Sequence, residues 1–213
     1  MSATSTDVRC RRQTVTVLFV DIVGFTGLVD ELDCADVRDL QRDYFSTVSA
    51  VLRAEGGIVE KFIGDAVVAV FGTCGPDAGS PAGVRRAAAA AARAGLRVQE
   101  ALRGRLLAGR HPVRTRVGLA TGTAMVDLDE TRDGGYGMVS GSIMATASRL
   151  QAYAPHDTVV VCAATQAASA DAVAYQELPP VQVHGRSAPV ELFRALHRLD
   201  ESLVSALVLQ ACG

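Results

Sequence analysis

Gly56-Gly57-Ile58-Val59-Glu60-Lys61-Phe62-Ile63-Gly64-Asp65-Ala66-Val67-Val68-Ala69-Val70-Phe71-Gly72 is the stretch that decides the fold. β-branched and aromatic residues fill both of its halves, and Gly64-Asp65 between them suits a tight turn, so residues 58–71 are expected to form a two-stranded hairpin. Working backward, Val37, Leu40, Tyr44, Phe45, Val48, Val51 and Leu52 recur at helical spacing. That predicts an amphipathic helix over 35–53, which Gly56-Gly57 stops. The apolar run over 14–20 is a first strand. Working forward, a Gly/Pro/Ser-rich loop over 73–83 precedes an Ala-rich helix over 84–106, and Pro112 leads into strands over 113–120 and 123–126. The order β-α-β-β-α-β is that of an α+β, ferredoxin-like core, with antiparallel strands and two helices on one face. A helix over 141–153, a strand over 157–162, a short helix over 163–170 and strands near 172–176 and 190–195 make a C-terminal βαββ extension.

Composition narrows the function classes. The 213 residues suit one domain, taken as 14–197, with a disordered polar lead-in over 1–13 and a tail over 198–213. The tail's apolar residues 203–209 are read as a helix docking on the domain or on a partner. A net charge of −2 leaves no footprint for a nucleic-acid partner. Cys10, Cys34, Cys74, Cys162 and Cys212 are odd in number and lack metal-ligand spacing, which fits reduced thiols and a cytoplasmic location. The first residues carry no apolar leader core, and no run of roughly 18 apolar residues suggests a membrane span.

Two aspartates carry the chemical signal. Asp21 closes the first strand and Asp65 sits in the hairpin turn. A carboxylate on the end of a core strand is costly to bury alone, so two on neighbouring strand ends suit a hard divalent cation such as Mg²⁺. Lys61, the only lysine in an otherwise all-arginine complement, lies four residues before Asp65. One at a time, a turn aspartate and a surface lysine are ordinary. Together they point to a metal–nucleotide site.

At these residues the chain resembles the class III nucleotidyl cyclases. Phe19-Val20-Asp21-Ile22-Val23-Gly24-Phe25-Thr26 is similar to their first metal-binding signature, and Glu60 to Gly72 to their second. Arg116 to Gly122 resembles the following strand and turn, Ala147-Ser148-Arg149-Leu150-Gln151 the end of the arginine-bearing helix, and Val183 to Phe193 the final hairpin. The resemblance runs from Thr14 to Ala195. It implies attack of a ribose 3′-hydroxyl on the α-phosphorus of ATP, giving cyclic AMP and pyrophosphate. Asp21, Asp65 and the Ile22 carbonyl would hold two Mg²⁺ or Mn²⁺ ions per site. Gly24, Phe25 and Thr26 would offer backbone N–H groups to the β- and γ-phosphates. Lys61 would donate to adenine N1, and Arg149 would stabilise charge at the α-phosphate. The family builds its sites across a two-fold interface, so a homodimer is implied.

Two positions depart from the family pattern. Where a ribose-positioning asparagine is usual, four residues before Arg149, this chain has Ala145, and where a base-selecting Asp or Thr is usual it has Met138. Neither side chain can make the expected hydrogen bond. A weakened adenylate cyclase is therefore expected, and two rivals stand beside it: a nucleotide-binding pseudocyclase, and the metal-bearing half of a heterodimer. A palm-type diguanylate cyclase shares the sheet order but needs a Gly-Gly-Asp/Glu-Glu-Phe hairpin, which is absent. The four histidines are isolated, and the acidic stretch over 127–133 is read as a solvated arm.

Overall fold

The computed structural model describes residues 10–127, 138–181 and 190–199. The lead-in up to residue 9, most of the acidic arm, the Val183–Arg186 segment and the C-terminal tail from residue 200 lie outside the described residues.

The first strand is longer than its apolar run. β1 spans Cys10–Ile22, so residues 10–13, expected in the lead-in, are already in the sheet. The reason is pairing: all of β1 lies antiparallel to β6 (Thr115–Asp127), from Cys10↔Asp127 to Ile22↔Thr115. The same pairing makes β6 one continuous strand where two were expected, with Gly122 in its interior opposite Val15. Thr16 and Thr121 face each other across these strands with hydroxyls 2.8 Å apart, and Thr121 continues to Thr165 at 2.9 Å, so the buried hydroxyls satisfy one another.

Between β1 and β6 come α1 (Phe25–Glu31), α2 (Cys34–Ala54), β2 (Ile58–Ile63), β3 (Ala66–Phe71), α3 (Pro81–Leu102) and a small hairpin of β4 (Leu106–Leu107) and β5 (His111–Pro112). The Asp33 side chain caps α2 by accepting from Ala35 N–H at 2.9 Å. Ser80 caps α3 and Pro81 opens it, which starts that helix earlier than apolar spacing indicated. After β6 follow β7 (Val139–Ser140), α4 (Ser142–Tyr153), β8 (Thr158–Cys162), α5 (Ala163–Ser169), β9 (Val173–Val181) and β10 (Val190–Arg198). The sheet order is β2-β3-β1-β6-β8-β10-β9, with β7 paired to β6 and only the β6–β8 pair parallel. The ferredoxin-like core occupies β2-β3-β1-β6, and β8, β10 and β9 extend it.

The sheet has two buried faces. On one, Leu18, Val20, Val67, Ala69, Phe71, Val117 and Leu119 pack under α2 and α3. On the other, Val15, Val17, Phe19, Val68, Val70 and Ala120 pack under α4 through Ile143, Ala147 and Leu150. Each fully buried Val, Leu or Phe contributes roughly 1.5–3 kcal/mol, so both faces hold the strand ends in place. Gly118 on β6 is where α4 comes closest: a Cβ there would lie 2.2 Å from the Gln151 nitrogen and 2.5 Å from the Ala147 carbonyl oxygen. Only a residue without a side chain lets helix backbone meet strand backbone at this point.

Candidate active site

The hairpin and β1 deliver their aspartates to one place. β3 pairs with β1 as Val67↔Val20, which brings the β2–β3 turn alongside the end of β1. Ile22 N–H donates to Asp65 Oδ2 at 2.9 Å, fixing the turn carboxylate against the strand that carries Asp21. Asp21 is pushed up to about 7, first by burial, then by Asp65, whose carboxyl shares a hydrogen bond with it and adds like charge. The amide of Gln151 and the Ile22 backbone pull the other way. Tyr44, wholly buried on α2, registers the same charge: burial raises its hydroxyl well above the usual range, and Asp21 and Asp65 push it further.

No protein cation answers this pair among the described residues. Arg116 is the cross-strand partner of Asp21, yet its guanidinium turns to the Ala152 carbonyl at 3.4 Å and to His156 Nε2 at 3.0 Å, at the C-terminal end of α4. Two hard oxygen donors held together without a counter-charge fit a divalent cation. No group of three or more His, Cys, Asp or Glu side chains with metal-site geometry occurs among the described residues. The remaining ligands would therefore be the Ile22 carbonyl, water and substrate oxygens, as is usual for Mg²⁺.

Gly24, Phe25 and Thr26 follow directly. Gly24 has φ 72°, a left-handed conformation that turns the chain out of β1, and α1 begins at Phe25. Phe25 anchors this turn against the α2–α3 core, and the first N–H groups of the helix have no intrahelical acceptors. α1 itself was missed in the sequence, because seven residues without a buried apolar position carry no helical stripe.

Lys61 belongs to a different cluster. Its ammonium lies 3.4 Å from Glu60 Oε1, which also accepts the Val139 N–H at 3.1 Å. Lys61 thus sits beside β7 and the residue preceding it, Met138. The Met138 side chain is 2% exposed and fills the core beneath α4, so it does not line an open site. This corrects its reading as a base-facing side chain: a thioether at the start of β7 gains more from burial than from facing polar atoms.

α4 has a buried and a more exposed face. Ile143, Ala147, Leu150 and Gln151 are buried, and the Gln151 amide donates to Asp21 Oδ2 at 3.2 Å. Residues two apart on a helix point in nearly opposite directions, so Arg149 faces away from Asp21, in line with exposed Ala145 and Ala152. The chain does not bring Arg149 to its own aspartates. The resemblance assigns Gln151 no role; its signal in the sequence is an amide set in the apolar stripe of an amphipathic helix.

Residues 8–195 match the family described as the adenylate and guanylate cyclase catalytic domain. An uncharacterized protein of Rhizobium meliloti (strain 1021) is 31% identical over 188 residues, covering 87% of this chain and 17% of that protein. Adenylate cyclase 1 of the same organism is 28% identical over 191 residues, covering 87% of this chain and 28% of its own length. The chain thus spans well under a third of either relative. The crystal structure of the adenylyl cyclase CyaB from P. aeruginosa superposes with a TM-score of 0.75 at 24% identity, covering 90% of this chain and 98% of that one, a likeness of fold.

Proposed function

The chain belongs to the adenylate and guanylate cyclase catalytic-domain family, and from that premise we propose that it converts ATP to 3′,5′-cyclic AMP and pyrophosphate as a homodimer. The observation that carries the reading is the uncompensated pair of Asp21 and Asp65 on adjoining strand ends. Asp21, Asp65 and the Ile22 carbonyl hold two Mg²⁺ or Mn²⁺ ions. The chemistry such ions supply when bound is a lowered pKa for the 3′-hydroxyl and charge neutralisation on the leaving pyrophosphate. The N–H groups of Gly24, Phe25 and Thr26 orient the β- and γ-phosphates beside them.

Arg149 serves the aspartates of the second copy. Its position on the outer face of α4, opposite Gln151, supports that assignment, and the two-fold then gives two equivalent sites. Its guanidinium donates to the α-phosphate as charge builds there. Lys61 donates to adenine N1, which accepts, whereas guanine N1–H donates, so ATP is preferred over GTP. Turnover is weak, because Ala145 offers nothing to the ribose and the Met138 side chain is buried. Those same two residues favour the second reading, a nucleotide-binding pseudocyclase or the metal-bearing half of a heterodimer.

The test is chromatographic: purified chain is incubated with ATP or GTP, with Mg²⁺ or Mn²⁺. Cyclic AMP exceeding cyclic GMP, most visibly with Mn²⁺, is expected. Metal-dependent ATP binding without any cyclic product would select the second reading, and absence of both would remove the site.

A further inference from the structure

Three places in the fold stand apart from the aspartate pair itself. The groove of about 190 Å³ between the β3 end and the start of α3 has its charges already paired, as Arg86–Asp77 and Arg97–Glu55. The exposed apolar tip of the β2–β3 hairpin, Phe62 and Ile63, has nothing on it to say what covers it. The inner face of α4 carries more.

Gln151 is a long polar side chain only 8% exposed, set among Ile143, Ala147 and Leu150. Burying an amide there is unfavourable unless its hydrogen bonds are made. Its Nε2 makes one, to Asp21 Oδ2 at 3.2 Å, across 130 residues of sequence. The contact depends on a built approach: at Gly118 the backbone of α4 comes so near β6 that a Cβ would lie 2.7 Å from the Gln151 Cα. The Ile22 N–H serves the pair from the strand, donating to Asp65 Oδ2 at 2.9 Å and pulling Asp21 down as well. Gln151 adds a side-chain donor to Asp21 from the helix.

We propose that Gln151 is a positioning residue for the metal site, holding the Asp21 carboxylate so that its free lone pairs face Asp65 and the cation. The inference rests on the metal reading of the aspartate pair. A donor on one carboxylate oxygen fixes the rotation of the group and leaves the rest of its oxygen surface for coordination. Such outer partners are commonly worth 10–100-fold in metal affinity. Gln151 touches no substrate. It acts through Asp21.

The test measures Mn²⁺ binding by the loss of the free-ion paramagnetic resonance signal, with Asp65→Ala as the baseline for sites elsewhere. Gln151→Met keeps the volume and removes the donor. Gln151→Asn keeps an amide but withdraws it by one methylene, and serves if the methionine variant does not fold. In either folded variant the Mn²⁺ dissociation constant should rise about tenfold or more. In turnover assays the Mn²⁺ concentration for half activation should rise while kcat at saturating Mn²⁺ stays near wild type. A packing defect that displaced α4 and Arg149 would instead lower kcat and would not be recovered by metal. Unchanged Mn²⁺ affinity in a folded variant overturns the proposal. The binding measurement needs no turnover, so a wild-type chain that binds Mn²⁺ but makes no cyclic nucleotide would sink the cyclase reading and still decide the role of Gln151. A wild-type chain that binds no more Mn²⁺ than Asp65→Ala would overturn both.

Discussion

The end of β1 and the outer face of α4 are built on opposite plans. At the β1 end two carboxylates are pressed together, one pushed up to about 7, with Arg116, the cross-strand partner of Asp21, turned elsewhere. On α4 and its approach, the two positions where the resemblance expects polar groups hold an exposed alanine and a buried methionine, beside Arg149. One region gathers like charge that a cation would relieve, while the other, in the proposed reading, lacks groups to orient a sugar and a base. The difference teaches that the two halves of such a site make different demands on the chain. A metal-binding half is hard to lose piecemeal, since losing one of two facing carboxylates removes the cation, whereas losing one positioning contact only slows the reaction.

The largest effect should come from cutting the first half. Asp65→Ala or Asp21→Ala is expected to abolish Mn²⁺-dependent ATP binding in calorimetry, and to leave the metal-free fold intact because the partly buried pair sets like charge together. Loss of the fold in both variants would show that the pair is structural instead.

Repairing the second half should give the next largest effect. Ala145 lies one helical turn before Arg149 on the same exposed face, so Ala145→Asn restores a hydrogen-bonding group in register with the arginine. Steady-state kinetics should show kcat rising by up to roughly 10²–10³-fold, with a smaller change in KM, if the contact acts in the transition state. A neutral or harmful effect would mean that some other group orients the ribose.

A third change tests what holds the halves together. Gly118→Ala drives a methyl into the α4 backbone at Gln151, and should cost about 1–3 kcal/mol in urea unfolding as the helix is forced off the strand. The same variant should weaken Mn²⁺ binding, since α4 carries the donor to Asp21.

The smallest effect is in pH. In the fold Asp21 keeps its proton up to about pH 7, while the unfolded carboxyl releases it near 3.8. Between those values the folded chain binds more protons, so metal-free stability should fall as pH rises through that window. A cation must displace that proton. The gain in Tm on adding Mn²⁺ should therefore be small near pH 5 and grow through about pH 7, a trend that differential scanning fluorimetry can follow. A metal-induced shift independent of pH would contradict the facing carboxyls.

The legibility of this molecule in its sequence follows the same division. The Gly56–Gly72 stretch revealed the hairpin and its aspartate, because period, turn residues and an acid at a strand end are local signals. The α2–α3 face and the strand order were legible for the same reason. What escaped depended on distant partners. β1 begins at Cys10 because β6 continues to Asp127, and nothing within polar residues 10–13 announces a strand. Met138 looked like a site residue because it stands where the family pattern has a base-selecting Asp or Thr, yet its side chain is core, since a place along the chain does not say which way a residue points. Gln151 needed the fold itself, as its partner lies on the first strand.

If the aspartates of one copy work with the arginine of another, as proposed, two dead variants should rescue each other. Asp65→Ala and Arg149→Ala are each inactive as homodimers in this account. Co-expressed and co-purified, they form mixed dimers in which one site keeps both aspartates and the arginine. Cyclic AMP formation should reappear in the mixture, approaching a quarter of the wild-type rate if subunits pair at random, since half of the dimers are mixed and each has one working site of two. A mixture as inactive as its two components, in dimers shown to exchange, would contradict the claim.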